Sequence, residues 1–67
     1  MFANKYKTWE GSALADFAAA NGEPLEHYPD SVGAGNEVLV YQIYKGCKVF
    51  LHVDSNRVIS HVETSKR

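Results

Sequence analysis

The stretch Glu37-Val38-Leu39-Val40-Tyr41-Gln42-Ile43-Tyr44, followed after Lys45-Gly46 by Cys47-Lys48-Val49-Phe50-Leu51-His52-Val53, decides the fold. Both runs are rich in β-branched and aromatic residues, which fit a pleated, half-buried surface. Tyr44-Lys45-Gly46 suits a tight hairpin with Gly46 at positive φ, so the runs read as adjacent antiparallel strands. Leu39, Tyr41 and Ile43 leave one face of the first strand, while Val38, Val40 and Tyr44 leave the other. On the second strand Cys47, Val49, Leu51 and Val53 oppose Lys48, Phe50 and His52. A three-residue link sets Leu39, Tyr41 and Ile43 beside Val49 and Leu51, whereas a two-residue link flips that register. Gly46 fits the longer link, so the first arrangement is expected. On either register the second face stays apolar, keeping Val38, Val40 and Phe50, or Leu39, Tyr41 and Phe50.

Working outward, Arg57–Thr64 reads as a third strand, reached through Asp54-Ser55-Asn56 with Asn56 as the left-handed residue. Leu25–Tyr28 reads as a short edge strand closed by Pro29, and Asp30–Asn36 as a glycine-containing loop. The first part of the chain is helical in pattern. Phe2, Tyr6 and Trp9 fall at i, i+4 and i+7 on one face. Gly11 interrupts, and Ser12 is the expected N-cap of a second helix. Ala13–Ala20 is rich in helix formers, with Leu14, Phe17 and Ala18 as a narrow apolar stripe and Asp16 toward water. Asn21-Gly22 is a left-handed stop, and Pro24 prevents continuation. The expected fold is α+β in a single domain, 1–67. Two short N-terminal helices within 2–21 pack on one face of a three- to four-stranded antiparallel meander, with strands at about 25–28, 37–44, 47–53 and 57–64 in the sense of.

Composition narrows the function classes. The chain has 67 residues, 45% hydrophobic and 22% charged, with a net charge of −1. A globule of this size buries only about 60% of the surface its unfolded chain exposes, which leaves no room for a deep substrate cavity. The balanced charge argues against a basic nucleic-acid binder and against an acidic mimic. No apolar run approaches the ~18 residues of a membrane span. One cysteine, Cys47, excludes an internal disulfide framework. Met1-Phe2-Ala3-Asn4-Lys5-Tyr6 is followed by polar residues rather than an apolar leader core. The expected location is therefore cytoplasmic as written, or the bacterial envelope if a leader was trimmed.

The chemistry-bearing residues do not assemble into a motif. His27, His52 and His61 lie on separate segments, and no C-x-x-C, H-x-x-x-H or H-E-x-x-H spacing occurs. Cys47 and His52 leave opposite faces of one strand. Gly33-Ala34-Gly35 begins like a dinucleotide loop, but a strand follows where that motif needs a helix. Tyr41, Tyr44 and Phe50 sit on strands as RNA-stacking residues do, yet the basic glycine-aromatic signature is missing. Expected are no catalytic residue, no metal and no cofactor. Ten or so helical residues cover only one face of a sheet, so an apolar second face points to contact with another chain. The contact residues expected there are Val38, Val40, Tyr44, Phe50 and His52, chosen for apolar and aromatic character.

Gly11-Ser12, the helix, Asn21-Gly22-Glu23-Pro24, the glycine loop, Val40-Tyr41, Cys47-Lys48-Val49-Phe50-Leu51-His52-Val53-Asp54 and Arg57-Val58 together resemble the SmpA/OmlA family. These small bacterial envelope proteins share an architecture with β-lactamase inhibitor proteins. The resemblance spans about residues 9 to 62, as short motifs of the kind weighed in. It implies short helices on an antiparallel sheet and a role in binding proteins rather than in catalysis. No signal peptide or lipid-attachment cysteine accompanies it, and it transfers no site residue. The expected function is a non-enzymatic protein-binding module using the sheet face to bind a partner protein or, as a homodimer, itself. The alternative is a small phage- or mobile-element-type inhibitor of a host enzyme or defence complex.

Overall fold

The computed structural model describes residues 2–31, 33–44 and 46–66, with side chains described for 5–31, 33–43 and 46–65. Its elements run α1 (Phe2–Lys7), α2 (Leu14–Asn21), β1 (Glu26–Pro29), β2 (Glu37–Tyr44), β3 (Cys47–Val53) and β4 (Ile59–Lys66). The strands form one antiparallel sheet in the order β1-β2-β3-β4. The α+β architecture and the meander are as expected. The pair of packed helices is not: α1 is a six-residue segment, and only α2, with eight residues, exceeds two turns. The Phe2 side chain lies outside the described residues. Trp9 reaches the core from the turn after α1, where its N–H donates to the Tyr6 carbonyl. No described helix is long and apolar enough to cross a membrane.

The β2–β3 register is the expected one, with Leu39 opposite Leu51 and Tyr41 opposite Val49. It arises differently, however. Tyr44 pairs with Cys47 and Gln42 with Lys48, so Ile43 is an extra residue on β2. This bulge, rather than a longer link, restores the face, and Gly46 takes its positive φ of 78°. A second shift sets Val53 opposite Ile59 and His52 opposite His61, leaving Ser60 as the extra residue of β4. Ile59 and Val62 therefore both face the core, although they are three residues apart. The left-handed residue of the β3–β4 turn is Arg57, at φ 63°, and not Asn56. Asp54 explains the choice: its carbonyl accepts the Arg57 N–H, and its Oδ1 accepts those of Asn56 and Val58. A turn so fixed places its fourth residue in the left-handed region.

Ser12 is not the helix cap. Ala13 occupies that position without a side-chain hydrogen bond, because residues 11–14 are used as a partial strand. The Gly11 N–H donates to Ile59, the Ile59 N–H to Ser12, and the Leu14 N–H to Arg57. Glu10 Oε2 extends this edge cover by accepting the Val62 N–H at 2.8 Å. The exposed side of β4 is thus closed over its first half, as sheet edges require. Helix α2 ends as expected at Gly22, with φ 83° and an N–H bonded to the Ala18 carbonyl.

The core lies between α2 and the inner sheet face: Tyr6, Leu14, Phe17, Leu39, Tyr41, Val49, Leu51, Val53, Ile59 and Val62. Phe17, fully buried, is its centre. It meets Trp9 edge-on at 5.1 Å, Tyr41 edge-on at 4.9 Å and Tyr6 at 6.4 Å. The Tyr41 hydroxyl donates to the Gly22 carbonyl at 2.9 Å, fixing the end of α2 to β2, and burial raises its pKa. A Phe→Ala change in such a site costs about 3–5 kcal/mol, which rivals the ~3–5 kcal/mol that a core of this size supplies. Phe17→Ala is expected to lack a cooperative thermal transition by circular dichroism. Phe17→Leu, which leaves a smaller cavity than alanine does, is expected to keep one at lower temperature.

Candidate functional site

The register assigns the outer face residue by residue. Tyr28 lies opposite Val38, and Val38 opposite His52, which faces His61. In the next row Glu26, Val40, Phe50 and Glu63 stand side by side, and then Gln42, Lys48 and Ser65. Of the expected contact residues, Val38, Val40, Phe50 and His52 do share this face. Val38 and Val40 are not exposed on it: they are 4% and 1% accessible and form its floor. Phe50 and His52 are half-buried. The Tyr44 side chain lies outside the described residues.

A cleft of about 360 Å³ opens on this face between Tyr28, Val38, Phe50, His52, Glu63, Thr64 and Ser65. A second depression of about 310 Å³ adjoins it at Phe50 and Ser65 and reaches Lys48 and Gly46. Phe50 is the aromatic side chain that the two share.

His52 is the polar centre of the cleft. Its Nδ1 lies 3.0 Å from Asp30 Oδ2, and its Nε2 lies 2.7 Å from Glu63 Oε1. Ionised carboxylates only accept hydrogen bonds, so the ring makes both bonds at once only as an imidazolium, with both nitrogens donating. Partial burial works against that charge. The hydrogen bonds to Asp30 and then Glu63, with their charges, outweigh it, and the pKa is raised. His61 lies beside it, the ring centroids 5.5 Å apart, with its own Nδ1 3.1 Å from Glu10 Oε2. Glu10 also meets Lys7 at 3.4 Å. Its pKa is lowered, first by the Val62 N–H, which outweighs desolvation, with smaller contributions from Lys7 and His61. On the other side of the sheet Glu37 takes Arg57 at 2.8 Å and His27 at 2.9 Å. Its pKa is lowered chiefly by Arg57.

Both nitrogens of His52 are occupied, and the Ser60 hydroxyl donates to the His52 carbonyl rather than to its ring. Cys47 starts β3, and its side chain leaves the face opposite His52. Among the described residues no group of three His, Cys, Asp or Glu side chains could hold a metal ion. The sequence reading missed Tyr28, Asp30 and Glu63. The β4 register would have found Glu63 beside Phe50. Asp30 belongs to a loop, where no periodicity places a side chain. Comparison with protein-family models, curated proteins and solved structures returns no match.

The titrations carry opposite signs. The raised pKa of His52 means that its clamp contributes stability fully present below the ordinary histidine value of 6.5 and lost as pH rises through the folded value. The lowered values of Glu10 and Glu37 contribute stability present above 4.5 and lost as pH falls through theirs. The urea midpoint is expected to be highest between these limbs. His52→Gln should flatten the alkaline limb and leave the acid one. An unchanged alkaline limb in that variant would refute the assignment.

Proposed function

We propose that this domain is a non-enzymatic protein-binding module whose outer sheet face takes a partner protein. The supporting observation is that helical cover is confined to one face. The other presents Phe50 in a cleft, with Tyr28 exposed at the β1 edge. An aromatic centre with a charged rim of Glu26, Glu63 and Lys48 matches the anatomy of contact surfaces. The row Glu26–Val40–Phe50–Glu63 favours a different protein over a second copy. A two-fold stack of two such faces along this row sets Glu26 of one copy on Glu63, or on Glu26, of the other. Like charges so juxtaposed oppose association. A partner with an apolar knob flanked by cationic side chains avoids that cost.

The SmpA/OmlA likeness is part of this proposal. Its support is the order of a short helix, a Gly22-Glu23-Pro24 exit and a meander with the Asp54 turn. The inhibitor form of the reading is the case in which the partner is a host enzyme. Phe50→Lys is the cleaner test substitution, since a glutamate there would face Glu63 across the strand pair. A tagged pull-down read by mass spectrometry is expected to recover one stoichiometric partner with the parent and none with Phe50→Lys or Tyr28→Lys, both folded by circular dichroism. Retention of that partner by both variants would remove this face from the contact. Recovery of the protein alone, with a dimer by light scattering, would replace the partner by a second copy.

A further inference from the structure

We propose that the cleft on the outer face seats an arginine of the partner protein: its guanidinium lies between the Tyr28 and Phe50 rings and meets the Glu63 carboxylate. This inference rests on the protein-binding reading above and names the side chain that the partner brings.

The register sets the dimensions of the seat. Tyr28 stands on β1 and Phe50 on β3, two strands apart in the sheet order, which puts about 10 Å between their strand axes. Between them β2 supplies the valines Val38 and Val40, which are buried and give the floor apolar side chains. A flat group in van der Waals contact with a ring on either side takes up about 7–8 Å. The Glu63 carboxylate closes one end. Its bond to His52 at 2.7 Å draws it from the row of Phe50 toward the row of Tyr28, Val38 and His52. That bond uses Oε1, and the Glu63 side chain is 57% accessible, so Oε2 can accept from a newcomer.

The charges around the seat select a cation. Aromatic faces attract one, and an anion would meet Glu63 and, from β1, Glu26. His52 does not reverse this, because it is bonded by two carboxylates, those of Asp30 and Glu63, and the three groups together are net negative whether or not the ring is charged. Lys48 is the opposing charge on this face. It lies on β3 on the far side of Phe50 from His52, in the adjoining depression, and so directs a cation to the Tyr28 side of the Phe50 ring. Guanidinium suits the seat better than ammonium does. It is planar, sheds water more readily, stacks on aromatic faces and presents a fork of N–H donors to a carboxylate.

Titration of the intact protein at neutral pH with N-acetylarginine N-methylamide, followed by NMR of the aromatic rings and side-chain carboxyls, tests this. The citrulline counterpart, of the same shape without the charge, and the lysine counterpart are run alongside. Expected are saturable shifts at Tyr28, Phe50 and Glu63 with the arginine probe, weaker binding of the lysine probe and no response to citrulline. Glu63→Gln should weaken the arginine probe by a factor of about two to five, the range of an exposed ion pair. An equal response to citrulline would overturn the proposal. So would shifts of the same size at Trp9, which packs on the inner side, or undiminished binding by folded Glu63→Gln. The comparison of arginine with citrulline uses the unaltered protein and decides the point even if the variant fails to fold. The two readings fail separately. A partner lost with Phe50→Lys but held undiminished by Glu63→Gln would overturn the arginine seat and leave the binding face in place. A partner held by both Phe50→Lys and Tyr28→Lys would remove the face and the seat with it.

Discussion

The contact of Phe17 with Trp9, Tyr41 and Tyr6 joins the helical half of the chain to the sheet. Helix α2 has eight residues, too few to persist alone in water. Half of its residues are alanine, which favours the helix but buries little. The apolar area that holds it down comes from Leu14 and Phe17, with Tyr41 supplying both a ring for Phe17 and a hydroxyl for the Gly22 carbonyl. The aromatic cluster therefore fixes the position of α2. The position of α2 in turn decides which sheet face is covered.

The hydrophobic pattern of the strands made that face legible. Leu39, Tyr41, Val49 and Leu51 align as the alternation predicts, and the stop at Gly22 follows from its freedom at positive φ. The parts that were not legible share one cause, which is that a long-range partner overrode a local preference. Ser12 has the right chemistry to cap α2, yet its carbonyl is taken by Ile59 from the far end of the chain. Asn56 tolerates the left-handed region better than arginine does. The three hydrogen bonds of Asp54 fix the turn one residue later, and the strain falls on Arg57. The bulges at Ile43 and Ser60 have no sequence marker of their own. The one at Ile43 keeps Leu39 and Tyr41 beside Leu51 and Val49, and the one at Ser60 keeps both Ile59 and Val62 in the core.

The outer face shows the limit of reading a site from alternation alone. Period two assigned Val38, Val40, Phe50 and His52 to it, which is the correct side. Side does not fix exposure. On a curved, twisted sheet an apolar residue of a central strand can be closed over by its cross-strand neighbours. Val38 lies between Tyr28 and His52, and Val40 between Glu26 and Phe50. The larger members of these rows form the surface, while the valines form the floor.

A sheet face without a helical layer still needs its shape fixed, and here polar cross-links stand in for that layer. His52 connects the loop after β1, through Asp30, to β4, through Glu63, across the width of β2 and β3. A leucine in its place would bury more apolar surface, but it would give up the hydrogen bonds to both Asp30 and Glu63. The charge of this link is tied to the proton on one ring. An apolar layer would hold the face with equal strength at every pH. A histidine between two carboxylates holds it more firmly while the ring is charged, so this link weakens as pH rises.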